Sequence, residues 1–176
     1  MMIVIGISGK KKCGKSLMAD YIRTIFPDRA HIVSFADALK QEVALAAGVD
    51  VKYINDHKDD FRLILQGWGT NFRRRHCGED YWIKRLYKSC IDISVKSPDA
   101  IILIPDVRFR NEAAAILNIK GMLVRINRNE CDIDDQHPSE VELDSWTRYD
   151  YIINNDGTIE DFKQEINKAI EALKLR

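Results

Sequence analysis

The sequence lacks the long apolar segments and cysteine patterns that mark membrane and disulfide-rich proteins. No apolar run approaches the roughly 20 residues that span a bilayer. The apolar N-terminus at 2–7 is short and has no basic stretch ahead of it, so it does not predict a signal peptide. The four cysteines are far apart and form no C-x-x-C pair, which disfavours a disulfide framework or a structural zinc site. We therefore expect a cytoplasmic protein without a membrane association.

The sequence also lacks net charge and low-complexity tracts. It carries 27 Lys and Arg residues against 27 Asp and Glu residues, so no basic surface for duplex nucleic acid is expected. Any anion must bind to a local cluster instead. The 176 residues, 45% apolar and 31% charged, are typical of one soluble globular domain that needs no disulfides to form its core.

Short apolar runs alternate with amphipathic stretches along the chain. This pattern predicts strands at 2–7, 31–35, 100–104, 122–126 and 149–153 and helices at 15–26, 110–118 and 159–173. The segment 36–95 is mostly helical, with a predicted break at 67–69, and 127–147 has no clear period. Alternating strands and helices indicate an α/β fold with a parallel sheet covered on both faces, which binds ligands at the carboxyl ends of its strands.

One motif predicts phosphate chemistry with high specificity. The residues at 9–16 read G-K-K-K-C-G-K-S and match the G-x-x-x-x-G-K-[ST] pattern of a phosphate-binding P-loop. A predicted strand precedes the motif and a predicted amphipathic helix follows it, which is the context that the loop requires. In such a loop the backbone N–H groups and the helix dipole bind phosphate oxygens, Lys15 reaches the β- and γ-phosphates, and Ser16 holds Mg²⁺.

Several other residues are candidates with an open alternative. Asp106 ends the third predicted strand and would hold Mg²⁺ or simply cap the next helix. Arginines after the predicted break and around the fourth strand would bind phosphate or lie on a solvated face. His137 has no second His or Cys at ligand spacing, so no metal site is expected there.

Beyond the P-loop, further motifs resemble those of the phage-type deoxynucleoside monophosphate kinases, a branch of the P-loop nucleoside monophosphate kinases. The resemblance covers nearly the whole chain. Its motifs are G-I-S-G-K at 6–10, F-A-D at 35–37 with L-K at 39–40, L-Q-G-W-G-T at 65–70, G-E-D-Y-W at 78–82, P-D-V-R-F at 105–109 with N-E at 111–112, H-P-S-E at 137–140 and Y-D-Y-I-I-N-N-D-G at 149–157. Cys13, Leu17 and Asn71 depart from the family pattern. These departures leave the phosphate site intact, but the resemblance does not determine which base is preferred.

The resemblance implies the fold and the reaction. The fold would be a P-loop NTPase three-layer sandwich, with a five-stranded parallel sheet, a helical acceptor-binding insertion at 36–95 and a lid at 127–147. The core would comprise 1–35, 96–126 and 148–176. The enzyme would use ATP and Mg²⁺ to phosphorylate a deoxynucleoside 5′-monophosphate, in the cytoplasm of the host if a phage encodes it. A homodimer is compatible with the resemblance.

The resemblance and the motifs together assign roles to individual residues. Those expected to act in phosphoryl transfer are Lys15, Arg125, Arg128 and Asp106. Those expected to bind ATP are Gly9, Lys11, Lys12, Cys13, Gly14, Lys15, Ser16, Leu17, Asn155, Asp156 and Gly157. Those expected to bind the acceptor are Lys10, Phe35, Asp37, Lys40, Gln66, Thr70, Arg73, Arg74, Trp82, Asp106 and Arg108. Ser16 and Asp106 would hold the metal ion.

Two other functions remain open. A P-loop kinase for another small phosphorylated acceptor, such as phosphomevalonate or dephospho-coenzyme A, would use the same loop but would need no slot for a base. A nucleotide-dependent switch or binding module would bind ATP or GTP without any acceptor, but the sequence has no N-K-x-D motif for reading guanine.

Overall fold

A computed structural model describes residues 2–129 and 137–175, which divide into two compact units. The first comprises the chain up to Val33 and from Cys90 onward, and the second comprises Ser34–Ser89. Each is described by itself below.

The first unit is built on a five-stranded parallel sheet, as the sequence predicted. The strands are β1 (Ile3–Ser8), β2 (Ala30–Ile32), β3 (Ile101–Val107), β4 (Met122–Asn127) and β5 (Tyr151–Asn154). Their order is β2-β3-β1-β4-β5, and every neighbouring pair is parallel. The helices of this unit are α1 (Lys15–Ile25), the end of α6 (Tyr81–Lys96), α7 (Arg110–Asn118), α8 (Pro138–Val141) and α9 (Ile159–Ala172).

Helices cover both faces of the sheet because side chains alternate along each strand. On one face Ile5 and Ile7 pack with Met18 of α1 and Phe162 of α9 in the main hydrophobic core. On the other face Gly6 lies against α7, where an added Cβ would approach Ile116 Cδ1 to 2.6 Å. The three-layer α/β arrangement expected from the sequence is therefore confirmed.

Three expected strand boundaries were wrong, and the simplest is the start of the fifth strand at Tyr151 instead of residue 149. The second strand ends at Ile32 instead of residue 35, because the Ser34 side chain and Asp37 form a capping box that starts the next helix. The third strand does not close at Pro105 but continues to Val107. Its register against β1 shifts between Gly6 and Ser8, so that β3 accommodates one extra residue as a bulge.

The second unit is helical. It contains α2 (Phe35–Ala47), α3 (Val51–Asp56), α4 (Lys58–Gln66), a π-helical segment (Gly67–Arg74), α5 (Arg75–Cys77) and the start of α6. The predicted break at 67–69 was wrong, since Gly67 has right-handed helical angles and the chain continues from α4 into the π-helical segment. Buried Val43, Ala44 and Ile54 form the centre of its core.

Candidate active site

The loop between β1 and α1 has the backbone shape that its glycines predict. Gly9 and Gly14 have φ angles of +151° and +112°, and Lys12 is left-handed at +64°. A Cβ at position 9 would lie 2.5 Å from the carbonyl oxygen of Ile126, so only glycine fits there. The loop therefore wraps closely at the N-terminus of α1, where helix N–H groups and the dipole favour an anion.

Lys15 is the first residue of α1 and is directed back into this loop. Its side chain is 8% exposed, and its Nζ donates hydrogen bonds to the carbonyl oxygens of Gly9 at 2.8 Å and Lys10 at 2.6 Å. The Sγ of Cys13 lies 3.8 Å from the same nitrogen. The ammonium group is therefore fixed inside the loop, where the sequence motif requires it.

The turn after β5 supports the loop from outside. The buried Asn155 donates from Nδ2 to the carbonyl oxygen of Cys13 at 2.9 Å. The neighbouring Asp156 accepts from the backbone N–H of Asn129 at 2.7 Å and from its side-chain amide at 3.0 Å. The expected ATP-binding turn 155–157 is therefore tied to the loop through one side chain and to the end of β4 through another.

Asp106 and Ser16, the residues predicted to hold the metal ion, lie near the carboxyl end of β3 and at the start of α1. Asp106 lies in the bulge of β3, a feature that often re-aims a side chain beside an active site. The N-cap position of α7 belongs to Phe109 instead, and Glu112 accepts from the backbone N–H groups of Arg108 and Phe109 at 2.9 and 3.1 Å. Ser16 follows Lys15 and is exposed. Across the described ranges, no three or more His, Cys, Asp or Glu side chains cluster as a metal site.

Three cations expected to bind phosphates are held by two carboxylates that follow His137. Asp144 accepts from Lys10 Nζ at 2.5 Å and from Arg125 Nη2 at 3.3 Å, and Arg125 also donates to Ser8 Oγ at 3.2 Å. Glu140, which is buried, forms an ion pair with Arg108. The positive charge beside the P-loop is therefore ordered by acidic partners.

The remaining loop and strand-end residues differ in exposure. Cys13 is buried, Lys11 is half-buried, and Lys12 and Leu17 are exposed. Arg128 and Gly157 are also exposed. Residues 130–136 of the expected lid lie outside the described residues.

The second unit contains the other expected acceptor residues, which differ in burial and in their hydrogen-bond partners. Asp37 caps α2 by accepting from the Ser34 N–H at 2.9 Å, and the buried Trp82 donates from Nε1 to the Gly69 carbonyl at 3.0 Å. Arg74 is buried and donates to the Glu79 carbonyl at 3.2 Å. The others are the buried Phe35 and the half-buried Lys40, Gln66, Thr70 and Arg73.

Sequence reasoning missed the carboxylates that hold the cations. Glu140 belongs to a motif of the resemblance, but none of Asp144, Glu140 and Glu42 was predicted as the partner of a cation, although Glu42 had a recognisable signal. It lies three residues after Leu39 and one before Val43, on the face of α2 that packs into the core, where a charged residue needs a partner. Arg73 supplies that partner through a hydrogen bond of 2.6 Å from Nε to Glu42 Oε2.

Comparisons with known proteins place this site in a family of kinases. The family model described as phosphomevalonate kinase matches residues 7–121, which is more than half of the chain. The chain belongs to the phosphomevalonate kinase family. It is a P-loop kinase that acts on a small phosphorylated substrate.

Two relatives and one solved structure extend this result. A protein of Acanthamoeba polyphaga mimivirus, named "Putative deoxynucleotide monophosphate kinase", is 34% identical over 97% of this chain and 97% of its own length. A phosphomevalonate kinase of Drosophila melanogaster is 26% identical over 100% of this chain and 99% of its own. The dephospho-CoA kinase of Campylobacter jejuni shares the fold, with a TM-score of 0.55, 16% identity and 98% coverage of both chains.

The sequence predicted neither a membrane-spanning helix nor a disulfide framework, and the described residues bear on both. Over 2–129 and 137–175, no helix is long and apolar enough to cross a membrane. Cys13, Cys77 and Cys90 are free thiols, and burial raises the pKa of Cys90 to about 11, so that thiol stays protonated at neutral pH. Cys131 lies outside the described residues.

Proposed function

We propose that this kinase transfers the γ-phosphoryl group of ATP to a deoxynucleoside 5′-monophosphate, giving ADP and a deoxynucleoside diphosphate. The observation that carries the choice of acceptor is the relationship to the mimiviral protein, which is 34% identical across nearly the full length of both chains. The donor side is supported by the P-loop and the inward-directed Lys15.

The donor phosphates would bind at the loop between β1 and α1. Backbone N–H groups from Gly9 to Leu17 and the dipole of α1 would surround them, and Lys15 would exchange its carbonyl partners for phosphate oxygens. Ser16 and Asp106 would hold Mg²⁺, which usually binds one or two protein oxygens together with substrate phosphates. When bound, the ion neutralises charge that develops during transfer. Asp156 and Gly157 would lie near the adenine, with Asn155 supporting the loop.

Phosphoryl transfer requires little covalent chemistry from the protein. The acceptor phosphate already carries ionised oxygens near neutral pH, so no general base is needed to create the nucleophile. The side chains would instead position the two substrates and stabilise charge. Lys10 and Arg108 would bind the acceptor phosphate, and Arg125 and Arg128 would stabilise the transferring group. Asp144 supports this assignment because it orders Lys10 and Arg125 beside the loop.

The segments outside the sheet would complete the site. The helical insertion 36–95 would bind the acceptor, and the segment 127–147 would act as a lid whose closure excludes water. Exclusion of water is needed because water competes with the acceptor for the phosphoryl group. The kinase would function in the cytoplasm, with small nucleotides as its partners.

A phosphomevalonate-type acceptor is the second candidate. The family model over residues 7–121 and the full-length relationship to the Drosophila kinase favour it. Both candidates use the same donor site, so only the acceptor distinguishes them.

The proposal is tested by measuring ADP release from Mg-ATP with each deoxy- and ribonucleoside monophosphate, and with phosphomevalonate, one at a time. We expect turnover with a subset of the deoxynucleoside monophosphates. Lys15→Ala should lower kcat by about 10²-fold or more, since one lost stabilising donor costs that much, while circular dichroism shows an intact fold.

Three results would contradict the proposal. Turnover with phosphomevalonate and with no nucleoside monophosphate would show that phosphomevalonate is the acceptor. ADP release that needs no acceptor would indicate a nucleotide-dependent switch. Normal turnover by Lys15→Ala would overturn the assignment of the P-loop.

A further inference from the structure

The second unit contains two adjacent arginines that the structure distinguishes clearly. Arg74 is buried and its Nη1 donates to the backbone carbonyl of Glu79. The side chain of Arg73 is 27% exposed, and its Nε donates to Glu42. Its Nη1 donates a long hydrogen bond of 3.7 Å to the exposed Cys77 Sγ, and its Nη2 has no hydrogen-bond partner among the described residues. The two Nη groups of Arg73 are therefore the part of its guanidinium that a ligand could contact.

The π-helical segment determines where Arg73 points. In a π-helix the hydrogen bonds connect residue i to i+5, so residues five apart lie close to each other along one face. Trp68 and Arg73 are five apart, and the guanidinium carbon of Arg73 lies 5.8 Å from the Trp68 ring centroid. Phe72 and Tyr81 lie at 5.4 and 5.3 Å. These distances fit cation–π contacts, and the three rings restrict the guanidinium plane.

The Glu42 carboxylate fixes the inner edge of the same guanidinium. Its Oε2 accepts from Arg73 Nε at 2.6 Å and from Trp68 Nε1 at 3.1 Å. Its Oε1 accepts from the Tyr81 hydroxyl and from Arg85 Nη2 at 3.5 Å. The Glu42 carboxylate thus accepts hydrogen bonds from four side chains, and these side chains fix its position.

The charges of the cluster favour an anion. One carboxylate and two guanidinium groups, Arg73 and Arg85, leave one positive charge in excess. With Nε held by Glu42, the two Nη groups lie in a fixed plane, and a phosphate oxygen is a stronger acceptor for Nη1 than the thiol that it contacts, which suits bidentate binding of a phosphate. Neither an isolated surface arginine nor a fully paired one has this geometry.

We propose that Glu42 is the positioning residue of the acceptor subsite, and that it orients Arg73 to bind the phosphate of the acceptor. This inference rests on the proposed function and extends it by one residue that touches no substrate. Glu42 acts through Arg73, while Trp68 and Tyr81 contact both side chains and keep them in this arrangement. The new prediction is that changing Glu42 weakens acceptor binding without changing ATP binding.

A double-mutant cycle tests the proposal with Glu42→Gln, Arg73→Gln and the double variant. We measure KM for the preferred acceptor, KM for ATP and the melting temperature. Glu42→Gln should raise the acceptor KM about tenfold, because the neutral amide keeps one acceptor oxygen and loses the charge that strengthens the hydrogen bond to Arg73. Arg73→Gln should raise it at least as much, and the double variant should match Arg73→Gln alone. KM for ATP should stay within about twofold, because the donor loop is elsewhere in the chain.

A matched control and a milder variant keep the test decisive. Asp56→Asn removes a carboxylate from an exposed ion pair with Lys52 in the same unit, and should leave both KM values unchanged. If Glu42→Gln fails to fold, Tyr81→Phe removes one hydrogen bond to Glu42 and keeps the ring. It should raise the acceptor KM about threefold, an effect that disappears when Arg73 is already changed to Gln.

The proposal is overturned if the effects of Glu42→Gln and Arg73→Gln multiply, because Glu42 then does not act through Arg73. A lowered melting temperature is expected in either case, but equal rises in both KM values would show a purely structural role and would also overturn the proposal. Failure of the proposed function is detected separately, by measuring the turnover of the wild-type protein with each candidate acceptor. If phosphomevalonate is the acceptor, the same cycle is run with phosphomevalonate.

Discussion

At the scale of single residues, the site depends on side chains that fix other groups. Lys15 is held by two backbone carbonyls of its own loop, and Asn155 holds the carbonyl of Cys13 from the turn after β5. Lys10 and Arg125 are both held by Asp144. An active site for phosphoryl transfer benefits from such order, because its catalysis consists mainly of positioning and charge stabilisation.

Asn155→Ala tests the support of the P-loop. The variant leaves the buried carbonyl of Cys13 without its 2.9 Å donor, which should cost about 1–3 kcal/mol of unfolding free energy. The loop should also lose order, so that KM for ATP rises while KM for the acceptor changes little. Chemical denaturation and steady-state kinetics measure the two effects.

Asn154→Ala is the matched control for that variant. Asn154 precedes Asn155 and is exposed, so its loss should have little effect on stability or on KM for ATP. Equal effects of the two variants would show that Asn155 has no special role at the loop.

The residue roles were only partly predictable from the sequence. Lys15 and the two glycines of the loop follow from a motif whose spacing is fixed by the backbone. The partners Asp144 and Glu140 did not follow, because Asp144 is 134 residues from Lys10 and Glu140 is 32 residues from Arg108, and only the folded chain brings these groups together. Long-range ion pairs leave no periodic signal.

At the scale of elements, the strands and amphipathic helices were predicted well and the π-helical segment was not. The helices α1, α7 and α9 begin and end near the predicted residues, since Pro27 and the Thr158 cap give local signals. Two glycines at 67 and 69 favoured a break, but the chain stays helical with a wider turn. This wider turn places Trp68 beside Arg73, so the missed element is the one that shapes the proposed acceptor subsite.

The Glu42 cluster predicts how the helical unit responds to acid. Burial raises the pKa of this carboxyl, but hydrogen bonds from Tyr81, Trp68 and Arg73 outweigh that effect and lower the pKa below its ordinary value of 4.5. A group with a lowered folded pKa stabilises the protein above its unfolded pKa. That stabilisation is lost as the pH falls through the folded value.

We therefore expect the wild-type protein to exceed Glu42→Gln in unfolding free energy by an amount that is constant well above pH 4.5. The difference should shrink progressively at lower pH. Urea titrations of both proteins between neutral pH and the acid range measure it. A difference that persists unchanged well below pH 4.5 would show that the Glu42 charge does not contribute to stability.

At the scale of the whole molecule, the chain combines an α/β unit that carries the P-loop with a helical unit that carries the Glu42 cluster. The parallel sheet was predictable because buried strands alternate with amphipathic helices throughout the first unit. The acceptor was not fixed by the fold, since the same architecture belongs to a dephospho-CoA kinase and the same family includes phosphomevalonate kinases. Substrate choice resides in side chains, not in topology.

The most direct test of the account is a competition for labelled phosphate. Wild-type protein and Lys15→Ala are each given Mg-ATP labelled at the γ-phosphate, with the four deoxynucleoside monophosphates and phosphomevalonate present together at equal concentration. The products are separated and identified by mass. We predict that the label appears in one or more deoxynucleoside diphosphates with the wild-type protein, and about 10²-fold more slowly or not at all with Lys15→Ala. Label in diphosphomevalonate, or only in free phosphate, would contradict the account.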